Sequence, residues 1–206
     1  MWTICAIVLA PLLAESATDI PPDRNGPYNL MEGWHETAFP DPGQVRVEND
    51  SIVLDIGRDL TGIVWSNPPL RMNYEIALEA MRVEGDDFFC GLTFPVENVY
   101  CTLIVGGWHG GTVGLSSMDH EDASNNDTTQ YAKFETGRWY PIRVRVTPGR
   151  IEAWIGAVKM VDADTTGRTV GIRREMESSC PMGIASWRTK AALRGIRMQA
   201  AADNAK

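Results

Sequence analysis

The sequence predicts an all-β fold, a two-sheet antiparallel sandwich, from three observations. The run from Gly137 to Asp162 folds on paper into two consecutive hairpins that agree in register. Strand-like runs bounded by turn formers recur about every 8–12 residues. No stretch of ~12 residues carries the apolar stripe of a helix.

The hairpin run is the most informative segment. With turns at Pro148-Gly149 and Gly156-Ala157, Val146 faces Ile151, Val144 faces Ala153 and Ile142 faces Ile155. The other face pairs Arg145 with Glu152 and Arg143 with Trp154. In the second hairpin Ile155 faces Val158, Trp154 faces Lys159 and Ala153 faces Met160. A period of two leaves one face apolar and the other charged with a single Trp. Opposite charges, and an Arg over an indole, are favourable cross-strand pairs.

The remaining elements follow in order. Residues 1–17 contain an apolar run, Ile4 to Ala14, too short to span a bilayer and suited to the core of a secretory signal. No Lys or Arg precedes that run, so it lacks the basic start of such signals. The expected localisation is periplasmic or secreted, without membrane insertion. Residues 18–43, rich in Pro, Gly and Asn, read as a leader wrapping the domain, anchored by Leu30, Trp34 and Phe39. The sandwich spans 44–199. Its strands are expected at 44–47, 51–56, 62–66, 72–81, 88–95, 100–106, 112–116 and 131–134, then in the hairpin run, at 183–187 and at 191–198. Residues 200–206 read as a disordered tail.

Of the 206 residues, 44% are hydrophobic, enough for a full core, and the formal net charge is -8. An acidic surface repels phosphate backbones, which argues against nucleic acid as a partner. Without a signal segment, Cys90, Cys101 and Cys180 remain, an odd number. Cys90 and Cys101 fall on neighbouring strands, where they either bridge or sit as buried thiols.

Several runs together resemble a known family. Gly137-Arg138-Trp139-Tyr140 and the strands after it resemble a segment of concanavalin A-like and laminin-G-like sandwiches. Tyr74 to Arg82, Asp87 to Phe94 and Gly183 to Trp187 resemble the bacterial 3-keto-disaccharide hydrolase domain, in a planctomycete-like branch, over roughly residues 30 to 198. The resemblance implies a jelly roll and a carbohydrate or glycoside partner. It is a likeness of strand pattern. Cys90-Gly91-Leu92-Thr93 and Arg138-Trp139-Tyr140 stand where typical members carry other residues, so no catalytic residue transfers one for one.

The implied substrate, a glycoside bearing a 3-keto sugar, has coherent chemistry. The C3 ketone acidifies the C2 proton, a base removes it, and the aglycone leaves by elimination. Such a site needs a base, an acid and a donor to the enolate oxygen. Glu79, His109, Asp119 and His120 are the candidates for proton transfer, and Arg82 for the anion donor. Glu75 and Glu79 lie ~13 Å apart along one strand, too far for a glycosidase pair, which needs about 5–9.5 Å. Trp65, Trp108 and Trp154 are candidate sugar platforms, Trp108 on the glycine-rich turn Gly106 to Gly111. The alternatives are a non-catalytic sugar-binding module and a purely structural accessory domain. No cofactor is expected. The acidic loop Asp119 to Asp127 offers oxygen ligands for a structural calcium, or is a plain polar loop.

Overall fold

A computed structural model describes residues 31–201. The predicted signal segment, the leader up to and including Leu30, and residues 202–206 lie outside the described residues.

Two seven-stranded antiparallel sheets face each other. The first runs β1 (Trp34–Glu36), β4 (Leu60–Trp65), β13 (Gly183–Trp187), β6 (Cys90–Val96), β7 (Val99–Gly106), β8 (Thr112–Ser116), β9 (Gln130–Tyr131). The second runs β12 (Val158–Asp164), β11 (Arg150–Ile155), β10 (Trp139–Thr147), β5 (Tyr74–Glu84), β14 (Lys190–Ala200), β3 (Ser51–Leu54), β2 (Val45–Glu48). The fold is therefore the expected all-β jelly-roll sandwich. No helix among the described residues is long and apolar enough to cross a membrane.

The core lies between the sheets. Ile63, Leu92, Phe94, Leu103, Leu115 and Ile184 meet Ile52, Leu54, Tyr74, Ile76, Ile142 and Val144 there. Each is a bulky side chain withdrawn from water, worth roughly 1.5–3 kcal/mol for the larger aliphatics and aromatics. The Tyr74 hydroxyl donates to the Pro95 carbonyl, and burial pushes its pKa upward.

The first hairpin has the register its alternation predicts, with Val144 opposite Ala153 and Arg145 opposite Glu152. Two details differ. A bulge between Ala153 and Trp154 sets Ala153 opposite Val161, not Met160. The extra residue turns Val161 and Ala163 inward, and both are buried. Arg145 also ignores the Glu152 facing it. Its Nε donates to Glu75 of β5 at 3.0 Å, while Glu152 takes Lys159. Glu75 is the reason: it is only 8% exposed, and Arg143 and Arg145 both reach it. Glu75 stands directly opposite Arg145 on β5, the other neighbour of β10, so the arginine has a carboxylate on each side.

Two further expectations are revised or resolved. The stretch assigned to the leader contains a strand, Trp34–Glu36, paired with β4. Three residues with one buried side chain show no readable alternation. Ala200 closes β14 and is not part of a tail. Cys90 faces Val105 and Cys101 faces Phe94, so the two thiols do not meet; both are free and buried, and burial pushes each up to about 12.

The first sheet is covered on its outer face too. Phe39, Leu60, Phe88, Ile104, Ala123, Met176 and Ala185 form a second apolar cluster there, with Trp187 packed against it. Ala123 comes from the loop after β8, and Met176 from a 3-10 turn, Arg174–Ser179. All seven residues of β6 are consequently buried. The roof that these segments build over the first sheet encloses the site described next.

Val144→Asp will lower the urea midpoint far more than Arg145→Ala. The first places a carboxylate in the core at a cost of several kcal/mol. The second leaves Glu75 with Arg143 and costs about 1 kcal/mol. Equal midpoints would refute the register.

Candidate functional site

The site begins with a charge inside the core. Alternation along β5 puts Tyr74, Ile76, Leu78, Ala80 and Arg82 on one inward face, and Arg82 is 5% exposed. Its Nη2 donates to the carbonyls of Asp87 (3.2 Å), Gly106 (3.1 Å) and Gly110 (3.0 Å). Its Nη1 donates to the Phe134 carbonyl at 3.5 Å. The guanidinium lies over the Phe89 ring, 5.2 Å from its centroid. Burial lowers its pKa, and the charges of Asp86 and Asp87 oppose that shift.

This anchor shapes the glycine-rich turn. A Cβ on Gly106 would lie 2.6 Å from the Arg82 guanidinium, and one on Gly110 3.2 Å from it. Both glycines also have positive φ, 79° and 92°. Between them Trp108 and His109 adopt φ of 45° and 68°, a left-handed conformation that side chains of this size rarely take. The carbonyls bound by Arg82 on either side hold the strained pair in place, so Trp108 is 37% exposed at the rim.

Asp87 sits beside that turn. Its Oδ1 accepts the Phe88 amide at 2.7 Å, and the Trp108 amide also donates to the carboxylate. Burial nevertheless raises its pKa, outweighing those two amides and the nearby His109. The carboxylate lines a cavity of about 240 Å³ on the outer face of the first sheet. Leu60, Ile104 and Trp187 supply apolar walls, and Trp108 stands at the same opening. Ser116, Arg173 and Glu175 add polar groups. Arg173 pairs with Asp122 (3.0 Å) and Glu175 (3.2 Å). The result is a carboxylate with a raised pKa in a cavity also lined by two Trp residues and an Arg, groups of the kinds that contact an oxygen-rich ring and move a proton.

The structure gathers some of the predicted residues and scatters others. Trp108 and His109 stand with Asp87. Arg82 lies behind the turn, its donors directed at backbone carbonyls; inward alternation separates it from Glu79 and corrects its reading as an anion donor. Glu79 is on the outer face of the second sheet, bound to Arg194 at 2.7 Å, across the sandwich from His109. Trp154 shares that far face, with Arg143 at 3.9 Å and Lys159 at 5.2 Å from its ring. Trp65 turns inward, edge-on to Trp34 at 5.3 Å, and packs on the core. Asp119 and His120 are exposed on the loop after β8, outside the cavity lining.

The calcium expectation meets a loop whose carboxylates have other partners. Arg168 donates to Asp119 (2.9 Å) and Asp127 (2.8 Å), and Asp122 takes Ser124, Asn125 and Arg173. The Thr169 amide and Arg168 lower the pKa of Asp119; Arg168 lowers that of Asp127. Among the described residues no three His, Cys, Asp or Glu side chains converge as metal ligands.

Sequence reasoning missed Asp87, Trp187, Ser116, Arg173 and Glu175. Asp86-Asp87 after Gly85, between two strands, was a readable signal. Arg173 and Glu175 lie in a stretch without alternation and had none.

A family model described as a 3-keto-alpha-glucoside-1,2-lyase-like domain matches residues 25–199. No curated protein matches the chain in sequence. Among solved structures, the carbohydrate binding module CBM66 from Bacillus subtilis is similar, with TM-score 0.54, 11% identity, and coverage of 81% of this chain and 95% of that one. A putative glycosyl hydrolase from Parabacteroides distasonis has TM-score 0.52 and 14% identity, covering 83% and 89%. A Bacillus subtilis protein of unknown function with a galectin-like fold has TM-score 0.56 and 11% identity, covering 85% and 92%. At such identities these likenesses concern the fold alone.

Arg82→Met will destabilise the domain by about 3 kcal/mol, because four buried carbonyls lose their donor. Glu79→Gln, on the solvated far face, will change stability by at most about 1 kcal/mol. Urea unfolding of both variants checks the contrast. Asp87 gives a pH signature. Its folded pKa lies above the ordinary 3.8, so its stabilising contribution is complete below that value and is lost as pH rises through the folded value. The melting temperature of Asp87→Asn minus that of the parent will therefore grow with pH across this window. A constant difference would contradict the assignment.

Proposed function

The chain belongs to the 3-keto-alpha-glucoside-1,2-lyase-like domain family, and from that premise we propose that the cavity on the first sheet binds a 3-keto glycoside and expels its aglycone. The observation that carries this reading is Asp87, a carboxylate whose pKa burial raises, beside the Trp108 and Trp187 indoles. In the proposed step Asp87 takes the C2 proton of the sugar. The electron pair forms the C1–C2 double bond and the C1–O bond breaks. The departing oxygen takes a proton from His109 or water. Arg173 favours the negative charge that builds on the C3 oxygen. Addition of water to the double bond would complete a hydrolysis. The apolar run at residues 4–14 supports export, which would place the domain where extracellular glycosides occur.

A second reading, a sugar-binding module without catalysis, uses the same cavity. The two Trp residues lining it and the likeness in fold to a carbohydrate binding module support it.

Incubation with a 3-keto disaccharide and its unoxidised parent separates the two. Release of the aglycone from the 3-keto substrate alone, with C2 deuterium lost to water, is the expected result. Asp87→Asn will lower turnover about 10²–10⁴-fold with a native circular dichroism spectrum, and His109→Ala will lower it less. Binding of both sugars without release, unaffected by Asp87→Asn, would establish the module instead.

A further inference from the structure

One row of residues crosses the outer face of the first sheet. Leu60 of β4 is opposite Trp187 of β13, and the Trp187 amide donates to the Phe88 carbonyl at 3.0 Å. A Cβ on Gly107 would lie 3.9 Å from Phe88 Cβ and 3.7 Å from Asp87 Oδ1. Gly107 bridges to Thr112 of β8, and Thr112 is opposite Tyr131 of the edge strand β9. The cavity takes up the first part of this row, from Leu60 and Trp187 to Asp87 and Trp108. Tyr131 stands at the other end, outside the lining.

Tyr131 is on the same side of the sheet as the cavity. Residues directly opposite on paired strands share a face, so Tyr131 sides with Thr112. Period two along β8 sides Thr112 with Ser116, a residue of the cavity wall. Tyr131 is 75% exposed, more than any other large hydrophobic side chain among the described residues. Its segment is fastened to the turn that carries Trp108 and His109, because the Ala132 amide donates to the Gly111 carbonyl at 2.9 Å. Two strand spacings, ~10 Å, separate the Tyr131 backbone from Gly107, beside the Asp87 carboxylate. The phenol ring is thus an accessible apolar surface with a polar tip, in line with the candidate base.

The proposed reaction says what would meet that surface. Asp87 takes the C2 proton, and the leaving group is on C1, the next carbon. The leaving group therefore begins beside Asp87. Drug-sized ligands occupy pockets of roughly 300–1,000 Å³. The cavity, at about 240 Å³, has room for one sugar ring. Resting on the reading that Asp87 deprotonates a 3-keto glycoside in this cavity, we propose that Tyr131 is the platform of a second, open subsite that takes the second sugar of a disaccharide. The keto ring occupies the walled part of the row, toward Trp187 and Leu60. The departing sugar extends the other way, past Trp108, and packs a C–H face on the Tyr131 ring.

The test uses the full chain and two substrates, a 3-keto disaccharide and the methyl 3-keto glycoside, which has no second ring. Tyr131→Ala will lower kcat/KM for the disaccharide about tenfold and leave that for the methyl glycoside unchanged. Tyr131→Phe will behave as the parent protein does on both. The melting temperature of either variant will match the parent's, because the side chain is mostly in water. An equal loss on both substrates, no loss on either, or a loss in Tyr131→Phe as large as in Tyr131→Ala overturns the platform. If Tyr131→Ala is normal on both while Asp87→Asn loses turnover, the assigned cavity stands and this role for Tyr131 falls. If the parent protein releases the leaving group from neither substrate, both readings fall together.

Discussion

A single buried guanidinium organises the end of the molecule that holds the candidate site. Arg82 follows four apolar residues on the inward face of β5, so the strand's own geometry carries its charge into the sandwich. A charge there is costly unless it is hydrogen-bonded. Four carbonyls from the segments around Asp87, Gly106, Gly110 and Phe134 take its two terminal nitrogens, while its Nε has no partner. The same demand requires glycine where the guanidinium passes and forces Trp108 and His109 into left-handed backbone. It also sets Asp87 beside them, with its carboxylate on their amides. A residue that never reaches the cavity thus determines where the candidate base and one indole stand.

The two sheets differ in how they use their outer faces. The second sheet leaves its outer face to solvent and covers it with stacked charges. Arg194 lies 4.1 Å from the Trp139 ring, Arg143 lies 3.9 Å from Trp154, and Glu75 and Glu79 take the neighbouring arginines. There arginines stack on the indoles, and Lys159 adds a second cation beside Trp154. The first sheet is roofed by the loop after β8 and by the 3-10 turn. Arg168 and Arg173 fasten these segments through Asp119, Asp127 and Asp122. A chain with an excess of carboxylates has spent several of them on holding that roof. The space left beneath it is the cavity.

Period-two alternation made the fold readable. The β10–β11 hairpin needed only turn residues and an apolar-charged rhythm, both local properties. The same rhythm already placed Arg82 inward, a deduction the residues allowed. The β11–β12 bulge broke the rhythm by one residue, and no local signal announced it. Glu75, not Glu152, claimed Arg145 because β5 lies on the other side of β10 and sets a second carboxylate opposite it, a neighbour the hairpin alone does not show. Likewise Glu79 and His109 both carry groups fit for proton transfer, but the closing of two sheets puts the thickness of the domain between them.

By itself the sequence determined the all-β class, most strand positions and the main hairpin register, because turn chemistry and alternation are local. Only the tertiary structure decided that Asp87, Trp187, Ser116 and Arg173 share one cavity. They come from a turn, two strands and a stretch without alternation, separated by up to about a hundred residues, and only the packing of the roof on the first sheet brings them together.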